Sequence, residues 1–173
     1  MMSVRQLASA SLFTALISIG SRIMIPLDMI GMHFTLQWLF VLLAGLLLDE
    51  KTARMSVGCY LLIGLIGMPV FAAGGGIGYL LKPTFGFLAG FFVAVCLMGV
   101  MKTGPLMKCT AGLLADYLTG FFWYLFMMYA VYQQPLGMIA AFINCFTTII
   151  PDYLLCLCAC AIARRLAPVV RHG

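Results

Sequence analysis

The chain has 173 residues, of which 64% are hydrophobic and 9% are charged. Water-soluble domains are about 45–50% apolar and about 25% charged, so a soluble fold of this length could not bury so much apolar surface. The net charge of +5 is spread too thinly to make the continuous basic surface that nucleic acid requires. The composition therefore predicts one all-α membrane domain over residues 1–173, with the lipid bilayer as its solvent.

Six apolar segments approach or exceed the roughly 17–25 residues that a transmembrane helix needs. In chain order they are Leu7–Ile25, Phe34–Leu48, Ala53–Met68, Phe85–Met101, Leu106–Val131 and Gly137–Leu166. The second is short for a span, and the sixth is long enough to project beyond the bilayer or to kink at Pro151. The first is longer than the apolar core of a signal peptide and no Ala-x-Ala site follows it, so we expect a retained helix.

Basic residues near the segment ends predict the orientation, because cytoplasmic loops carry an excess of Lys and Arg. With both termini on one side, the other side collects only Arg22 and Lys82. The terminal side collects the remaining eight basic residues, which are Arg5, Lys51, Arg54, Lys102, Lys108, Arg164, Arg165 and Arg171. We therefore expect cytoplasmic termini.

The predicted outer connections are Pro26–His33, Pro69–Thr84 and Tyr132–Leu136. The middle connection is the longest, is mostly apolar and contains four glycines. Irregular backbone at membrane depth is tolerated only where protein buries it or where it lines a cavity. The sequence therefore predicts an ordered outer lid between helices three and four, with a flexible linker as the alternative.

The glycine-rich part of this lid does not fit a nucleotide site. A P-loop needs Lys followed by Ser or Thr, whereas Lys82 is followed by Pro83. The two histidines, His33 and His172, have no recognisable nucleophile partner, so we predict no catalytic residue and no enzyme. Energy for any uphill transport must then come from another protein.

Three of the seven cysteines form a Cys-x-Cys-x-Cys pattern, Cys156, Cys158 and Cys160. A metal site is one interpretation of this spacing. However, alternate residues of a helix point to different faces, and no histidine or carboxylate completes a ligand set. We expect no bound metal, and cysteines that pack as reduced apolar side chains.

Two carboxylates lie inside predicted spans, where an ionisable residue is a functional candidate by default. Asp152 lies about 18 Å from Arg164 along a helix, which puts it within reach of an outward-facing cavity. Its alternative role is a pairing with another helix, for example with Arg22. For Asp116 we expect a structural contact rather than a ligand contact. The weaker polar candidates near Asp152 are Asn144, Thr147 and Thr148.

Small residues at four-residue spacing predict close helix approach. Helix one has two such faces, Ser11-x-x-x-Ala15 and Ala10-x-x-x-Thr14-x-x-x-Ser18. Helix four has Gly86-x-x-x-Gly90. The small face on helix one could dock the helices of another protein.

The chain resembles the BioY family, the biotin-specific substrate-binding (S) components of energy-coupling factor (ECF) transporters, over essentially its whole length. The most specific stretches are Thr35–Leu48, Gly64–Tyr79, Lys82–Phe87 and Tyr117–Trp123. The resemblance implies six helices in a bacterial cell membrane, biotin bound near the outer surface as the transported ligand, and no cofactor. It also implies two kinds of partner: an ECF coupling transmembrane protein, met by Ser11 and Ala15, and a pair of cytoplasmic ATPases.

The same resemblance gives candidate ligand-binding residues. Asp152 matches an acidic residue in the family's last helix, and we expect it to accept hydrogen bonds from the ureido N–H groups of biotin. Lys82 and loop N–H groups would hold the carboxylate. The other candidates are the aromatic Trp38, Phe71, Tyr79 and Phe87, together with Thr35, Gln37, Gly74, Gly75 and Asn144.

The sequence departs from the family at two places. Leu155 stands where a lysine is usual, and Phe85 stands in a segment that usually reads Pro-Thr-Gly-Gly-Tyr. These differences leave an S component for another small carboxylate vitamin as an alternative. A membrane adaptor without a ligand is the second alternative, and an intramembrane enzyme is the third.

Overall fold

The computed structural model describes residues 2–27, 32–133 and 137–172. It confirms that the chain is built from helices, each close to a predicted segment. The elements are α1 (Val4–Gly20), β1 (Met24–Leu27), β2 (Met32–Thr35), α2 (Gln37–Leu47), α3 (Glu50–Ile66), a 3₁₀ helix (Ile77–Leu81), α4 (Phe85–Val100), α5 (Pro105–Phe126), a π-helical turn (Met127–Val131), α6 (Met138–Phe146) and α7 (Ile149–His172).

Local capping explains where the first helices begin. Ser3 forms a capping box with Gln6 at the start of α1, so this helix begins three residues before the predicted segment. Asp49 accepts from the backbone N–H of Thr52 and caps α3. The predicted segments started later because apolar runs alone do not include these polar first turns.

Helix α1 ends at Gly20, which corrects the predicted end at Ile25. A side chain at position 20 would lie 2.7 Å from the ring of Phe40 and 3.0 Å from the backbone of Gln37, so the chain passes α2 closely there. The Ser21 hydroxyl then donates to the carbonyl of Val70 at 2.6 Å. The chain therefore leaves the helix where it meets α2 and the 69–84 segment.

A two-stranded antiparallel ribbon follows α1, where a plain outer loop, Pro26–His33, was predicted. Met24 lies opposite Thr35, and Leu27 lies opposite Met32. Pro26 can occupy β1 because an outer strand edge does not need every backbone N–H. The middle of the predicted loop, residues 28–31, lies outside the described residues, as do residues 134–136 of the predicted Tyr132–Leu136 connection.

Helices α4 and α5 pack closely through glycines, as the Gly86-x-x-x-Gly90 pattern predicted. A Cβ on Gly86 would lie 2.3 Å from Cβ of Trp123. A Cβ on Gly90 would lie 2.9 Å from Cα of Asp116. No side chain fits between the two backbones at these points, so the glycines fix the distance between the helices.

The sixth predicted segment is two helices, α6 and α7, separated at Thr147 and Thr148. A kink at Pro151 was one of the two alternatives predicted for this segment, but Pro151 lies in the first turn of α7. Proline clashes with the carbonyl four residues earlier, and that carbonyl belongs to Thr147. The break therefore lies one turn before the proline that causes it.

The 69–84 segment folds back over the ends of the neighbouring helices. Phe71 is fully buried beside Tyr60 and Tyr79. The backbone N–H of Gly76 donates to the carbonyl of Gly64 at 2.7 Å. Gly74 and Gly76 have φ values of 114° and 104°, a left-handed conformation that favours glycine. These contacts give the segment a defined conformation against the bundle.

In the part of the chain that the structure describes, two helical stretches are long and apolar enough to cross a membrane, Pro105–Val131 and Met138–Pro168. Three helices of 10–17 residues are also apolar: α1, α2 and α4. Large apolar side chains are exposed on most helices, for example Leu62, Phe122 and Ile139. An exposed apolar surface of this kind suits a lipid environment.

Candidate functional site

A cavity of about 160 Å³ lies among α2, α4, α5, α7 and the 69–84 segment. This volume is far above the roughly 10–15 Å³ that one ordered water needs, so the cavity has room for a small organic molecule. Its lining combines aromatic, aliphatic and polar side chains: Phe34, Thr35, Gln37, Trp38, Ala72, Ala73, Tyr79, Thr84, Phe87, Leu88, Phe91, Asp116, Thr148 and Asp152.

A chain of hydrogen bonds holds Asp152 at the first turn of α7. The Tyr117 hydroxyl donates to Oδ2 of Asp152 at 2.6 Å. The same hydroxyl lies 2.9 Å from Oγ1 of Thr148. Tyr117 thus holds Oδ2, and the carboxylate lines the cavity, where it can accept a hydrogen bond from a bound molecule.

Aromatic side chains form the apolar part of the lining. Trp38 and Phe91 stack with ring centroids 5.4 Å apart. Phe87 meets Tyr117 edge to face at 5.8 Å. Tyr79 reaches the cavity from the 3₁₀ helix, and burial raises the pKa of its hydroxyl, so the group stays neutral at physiological pH. The surface suits a flat, largely apolar ligand.

Asp116 is the second carboxylate in the lining, and its side chain is only 4% exposed. Within the described residues, its Oδ1 atom is buried without a hydrogen-bond partner. The sequence suggested a salt bridge or a contact with another helix for this carboxylate. It does pack against Gly90 of α4, but Oδ1 has no polar partner in the described part of the chain. An unpaired buried carboxylate is costly, which makes the residue a functional candidate.

The lining contains six of the eleven predicted ligand-binding residues: Asp152, Trp38, Tyr79, Phe87, Thr35 and Gln37. The other five lie outside it. Phe71 is buried behind Tyr79, and Asn144 donates to the Tyr124 hydroxyl at 3.1 Å. Gly74 and Gly75 lie further along the 69–84 segment from the lining residues Ala72 and Ala73.

Lys82, the predicted partner of a ligand carboxylate, lies at the edge of the cavity and not in its lining. Its Nζ donates to the carbonyl of Ala73 at 3.2 Å and lies 4.4 Å from the ring centroid of Tyr79. Both of these neighbours line the cavity. Arg22, the predicted alternative partner of Asp152, instead donates to the carbonyl of Pro69.

Sequence reasoning missed six lining residues: Phe34, Ala72, Ala73, Thr84, Leu88 and Phe91. Thr148, named above as a weaker polar candidate, and Asp116, which was not chosen as a ligand residue, also line the cavity. A signal for Asp116 was available. Gly112, Asp116 and Gly120 are spaced by four residues on α5 and all three are buried. This spacing puts Asp116 on the small-residue face that packs against α4, so its carboxylate points into the protein rather than into lipid.

The two departures from the BioY pattern occupy apolar positions. Leu155 is 8% exposed and lies in the core beyond Asp152. Phe85 packs against Trp123 with ring centroids 5.6 Å apart. Neither side chain is among the residues that line the cavity.

The two small faces of α1 have different surroundings. Ala10 and Thr14 are buried, and the Thr14 hydroxyl donates to the carbonyl of Ser56 on α3 at 2.9 Å. Ser11 and Ala15 are exposed on the neighbouring face, one residue further along the chain. One face therefore packs within the bundle, and the other is available at the surface.

Comparison with known proteins agrees with this architecture. The model of the BioY family matches residues 1–172. The chain belongs to the BioY family. A solved structure described as the S-component for biotin from an ECF-type ABC transporter has a TM-score of 0.81 and 26% identity, covering 96% of this chain and 94% of that one. As a BioY family member, the chain is a membrane protein.

Relatives in the family differ in how much of their length is matched. A probable biotin transporter BioY from Pyrococcus horikoshii is 34% identical over 95% of this chain and 98% of its own length. One from Lysinibacillus sphaericus is 46% identical over 57% of this chain and 50% of its own length. The biotin transporter BioY of Thermotoga maritima is 42% identical over 57% of each chain. The chain thus aligns with about half the length of the last two relatives.

Proposed function

We propose that this protein binds biotin and acts in its uptake, as the membrane-embedded S component of an ECF-type transporter. The observation that carries the proposal is the cavity, in which a hydrogen-bonded carboxylate, Asp152, faces an aromatic lining. Biotin combines a ureido ring, an apolar bicycle and stem, and a carboxylate. A mostly apolar pocket with a few fixed polar groups suits such a ligand.

In the proposed complex, Asp152 accepts a hydrogen bond from the ureido ring through Oδ1, while Tyr117 keeps the carboxylate in place. Trp38, Phe87 and Tyr79 pack against the bicycle and stem. Preorganisation of this kind lowers the entropic cost of binding, because the acceptor is already oriented. Thr35 and Gln37 supply further polar contacts at the start of α2.

The ligand carboxylate binds toward the 69–84 segment in this proposal. Lys82 exchanges its contact with the Ala73 carbonyl for a contact with the ligand. Backbone N–H groups around Gly74 and Gly75 assist, since glycines allow close approach of the backbone. Phe71 supports Tyr79 from behind, and Asn144 steadies the α5–α6 contact through Tyr124.

The whole chain forms one substrate-binding domain with six membrane crossings, the sixth being α6 together with α7. The termini lie in the cytoplasm, because eight of the ten basic residues then lie on that side. The 69–84 segment covers the outer end of the cavity as a lid.

Transport also needs partners in this proposal. A coupling transmembrane protein docks on the exposed Ser11 and Ala15 of α1, where small side chains allow close helix packing. Cytoplasmic ATPases supply the energy.

Biotin titration of the purified protein by calorimetry tests the proposal. We expect Asp152→Asn to weaken biotin binding about 10- to 100-fold, because a hydrogen bond to a charged acceptor is lost. Asp49→Asn is the matched control, since this carboxylate caps α3 and does not line the cavity. A protein that neither binds biotin nor is stabilised by it would favour an adaptor role. Unchanged affinity in Asp152→Asn would exclude the role given to that residue.

A further inference from the structure

The cavity contains a second acidic group that the proposed pose of biotin does not use. Asp116 lines the cavity, its side chain is 4% exposed, and Oδ1 has no hydrogen-bond partner among the described residues. Gly90 leaves room for this side chain, since a Cβ there would lie 2.2 Å from Oδ1. The residue is thus held beside the cavity by tight packing and not by a polar contact.

The charged residues that line the cavity are both acidic. Among the fourteen described residues that line it, the charged ones are Asp116 and Asp152. Lys82, a basic group at the edge of the cavity, is bound to the Ala73 carbonyl. Two ionised carboxylates in one largely apolar cavity repel each other, and a ligand that brings N–H donors or positive charge relieves that repulsion.

We propose that Asp116 is a second ligand-contacting residue that determines specificity, and that Asp116 and Asp152 together receive the N–H groups of a cyclic urea or cyclic guanidinium. This inference rests on the proposed function and adds a residue and a charge preference to it. Asp152 receives one N–H, while Tyr117 holds its Oδ2 atom in place. Asp116 receives the N–H on the other side of the ring, which gives its buried carboxylate a partner.

A charge preference distinguishes this role from simple packing. In 2-iminobiotin a guanidinium, cationic at neutral pH, replaces the urea of biotin. Hydrogen bonds between two charged groups are stronger than those with one neutral partner. The loss of one carboxylate should therefore weaken 2-iminobiotin binding more than biotin binding.

The experiment is calorimetric titration of the purified full chain with biotin and with 2-iminobiotin. We expect Asp116→Asn to weaken biotin binding about fivefold and 2-iminobiotin binding about 50-fold, so that the ratio of the two Kd values changes about tenfold. Asp49→Asn, the surface control, should leave the ratio unchanged. If Asp116→Asn does not fold, Asp116→Ser serves instead, since it fits the same small-residue face and also removes the charge.

Each outcome bears on one of the two proposals. If the native chain binds biotin but the Kd ratio is the same in the Asp116 variants, Asp116 has only a packing role and this inference is wrong. If the native chain binds neither compound, the proposed function fails and the inference fails with it. A ratio that shifts toward biotin in the variants supports the inference.

Discussion

The two ends of the helix bundle are filled in different ways. At the cysteine end, defined by Met98, Cys109, Cys156 and Cys160, apolar side chains occupy the interior. The Sγ atoms of Cys109 and Cys160 lie 3.7 Å apart as free thiols, well beyond the roughly 2.05 Å of a disulfide. At the cavity end, defined by the residues that line the cavity, the interior is open and polar groups face it.

The same helices build both ends. Asp152 precedes Cys160 by eight residues on α7, which is about 12 Å along the helix. At the cavity end α2, α4 and α7 each begin near the lining, and α6 is separated from α7 by the Thr147–Thr148 break. Helix starts and breaks leave room and expose polar groups at the cavity end, whereas apolar side chains fill the space between the helices at the cysteine end. Packing at the cysteine end thus fixes the positions of α5 and α7, the helices that carry Asp116 and Asp152.

We expect the largest effect, a loss of thermal stability, when one glycine at each end of the bundle is replaced by alanine. Gly90→Ala places a Cβ 2.9 Å from the backbone of Asp116, which cannot move without shifting α5. Gly112→Ala places one 3.1 Å from the flexible thioether of Met98. Overpacking costs about 1–3 kcal/mol, so we expect Gly90→Ala to lower the melting temperature by about 3–10 °C and to remove most stabilisation by biotin.

Gly112→Ala should change the melting temperature by less than about 2 °C, since methionine adapts to small changes in its surroundings. Thermal melting in detergent, with and without biotin, measures both variants. If the melting temperature falls equally in the two variants, the cavity end is no more sensitive to helix spacing than the cysteine end.

The sequence predicted much of the fold because apolar length is a strong signal. The predicted Phe85–Met101 differs from α4 by one residue, and the predicted Leu106–Val131 covers α5 and the π-helical turn. The ribbon of β1 and β2 was missed because its pairing is a contact between strands, which the apolar pattern of either strand does not encode. The break before α7 was displaced by one turn, because the steric effect of a proline acts on the carbonyl four residues earlier.

The candidate site was less predictable than the fold. Asp152 and the aromatic candidates came from the intramembrane charge and from the family resemblance, and Asp152, Trp38, Tyr79 and Phe87 line the cavity. Asp116 was set aside because its distance from the helix end says nothing about which face it occupies. The neighbouring glycines Gly112 and Gly120 contain that information. The contributions of Ala72 and Ala73 depend on the fold of the 69–84 segment, which no periodicity describes.

We expect an intermediate effect on biotin affinity from a substitution of Lys82, which lies at the edge of the cavity. Lys82→Met should weaken biotin binding about two- to fivefold, because the proposed contact is partly exposed and ion pairs in water are worth about 1 kcal/mol or less. The affinity for biotin methyl ester should stay the same, since that ligand has no carboxylate. Lys51→Met is the matched control, at an exposed position in the first turn of α3. An equal loss for acid and ester would assign Lys82 to the support of Tyr79 and remove it from carboxylate binding.

We expect the smallest effect on biotin affinity from substitutions at the cysteine end. Cys160→Ala removes a buried sulfur that contacts Cys109, and we expect a loss of stability of about 1 kcal/mol. Cys158→Ala, at an exposed position on the same helix, should cost less. Biotin affinity should stay within about twofold in both variants, because residue 160 lies about two turns from Asp152. A tenfold loss of affinity in Cys160→Ala alone would show that the packing of the cysteine end determines the geometry of Asp152. The two ends would then be energetically coupled, and the cavity could not be treated as an independent site.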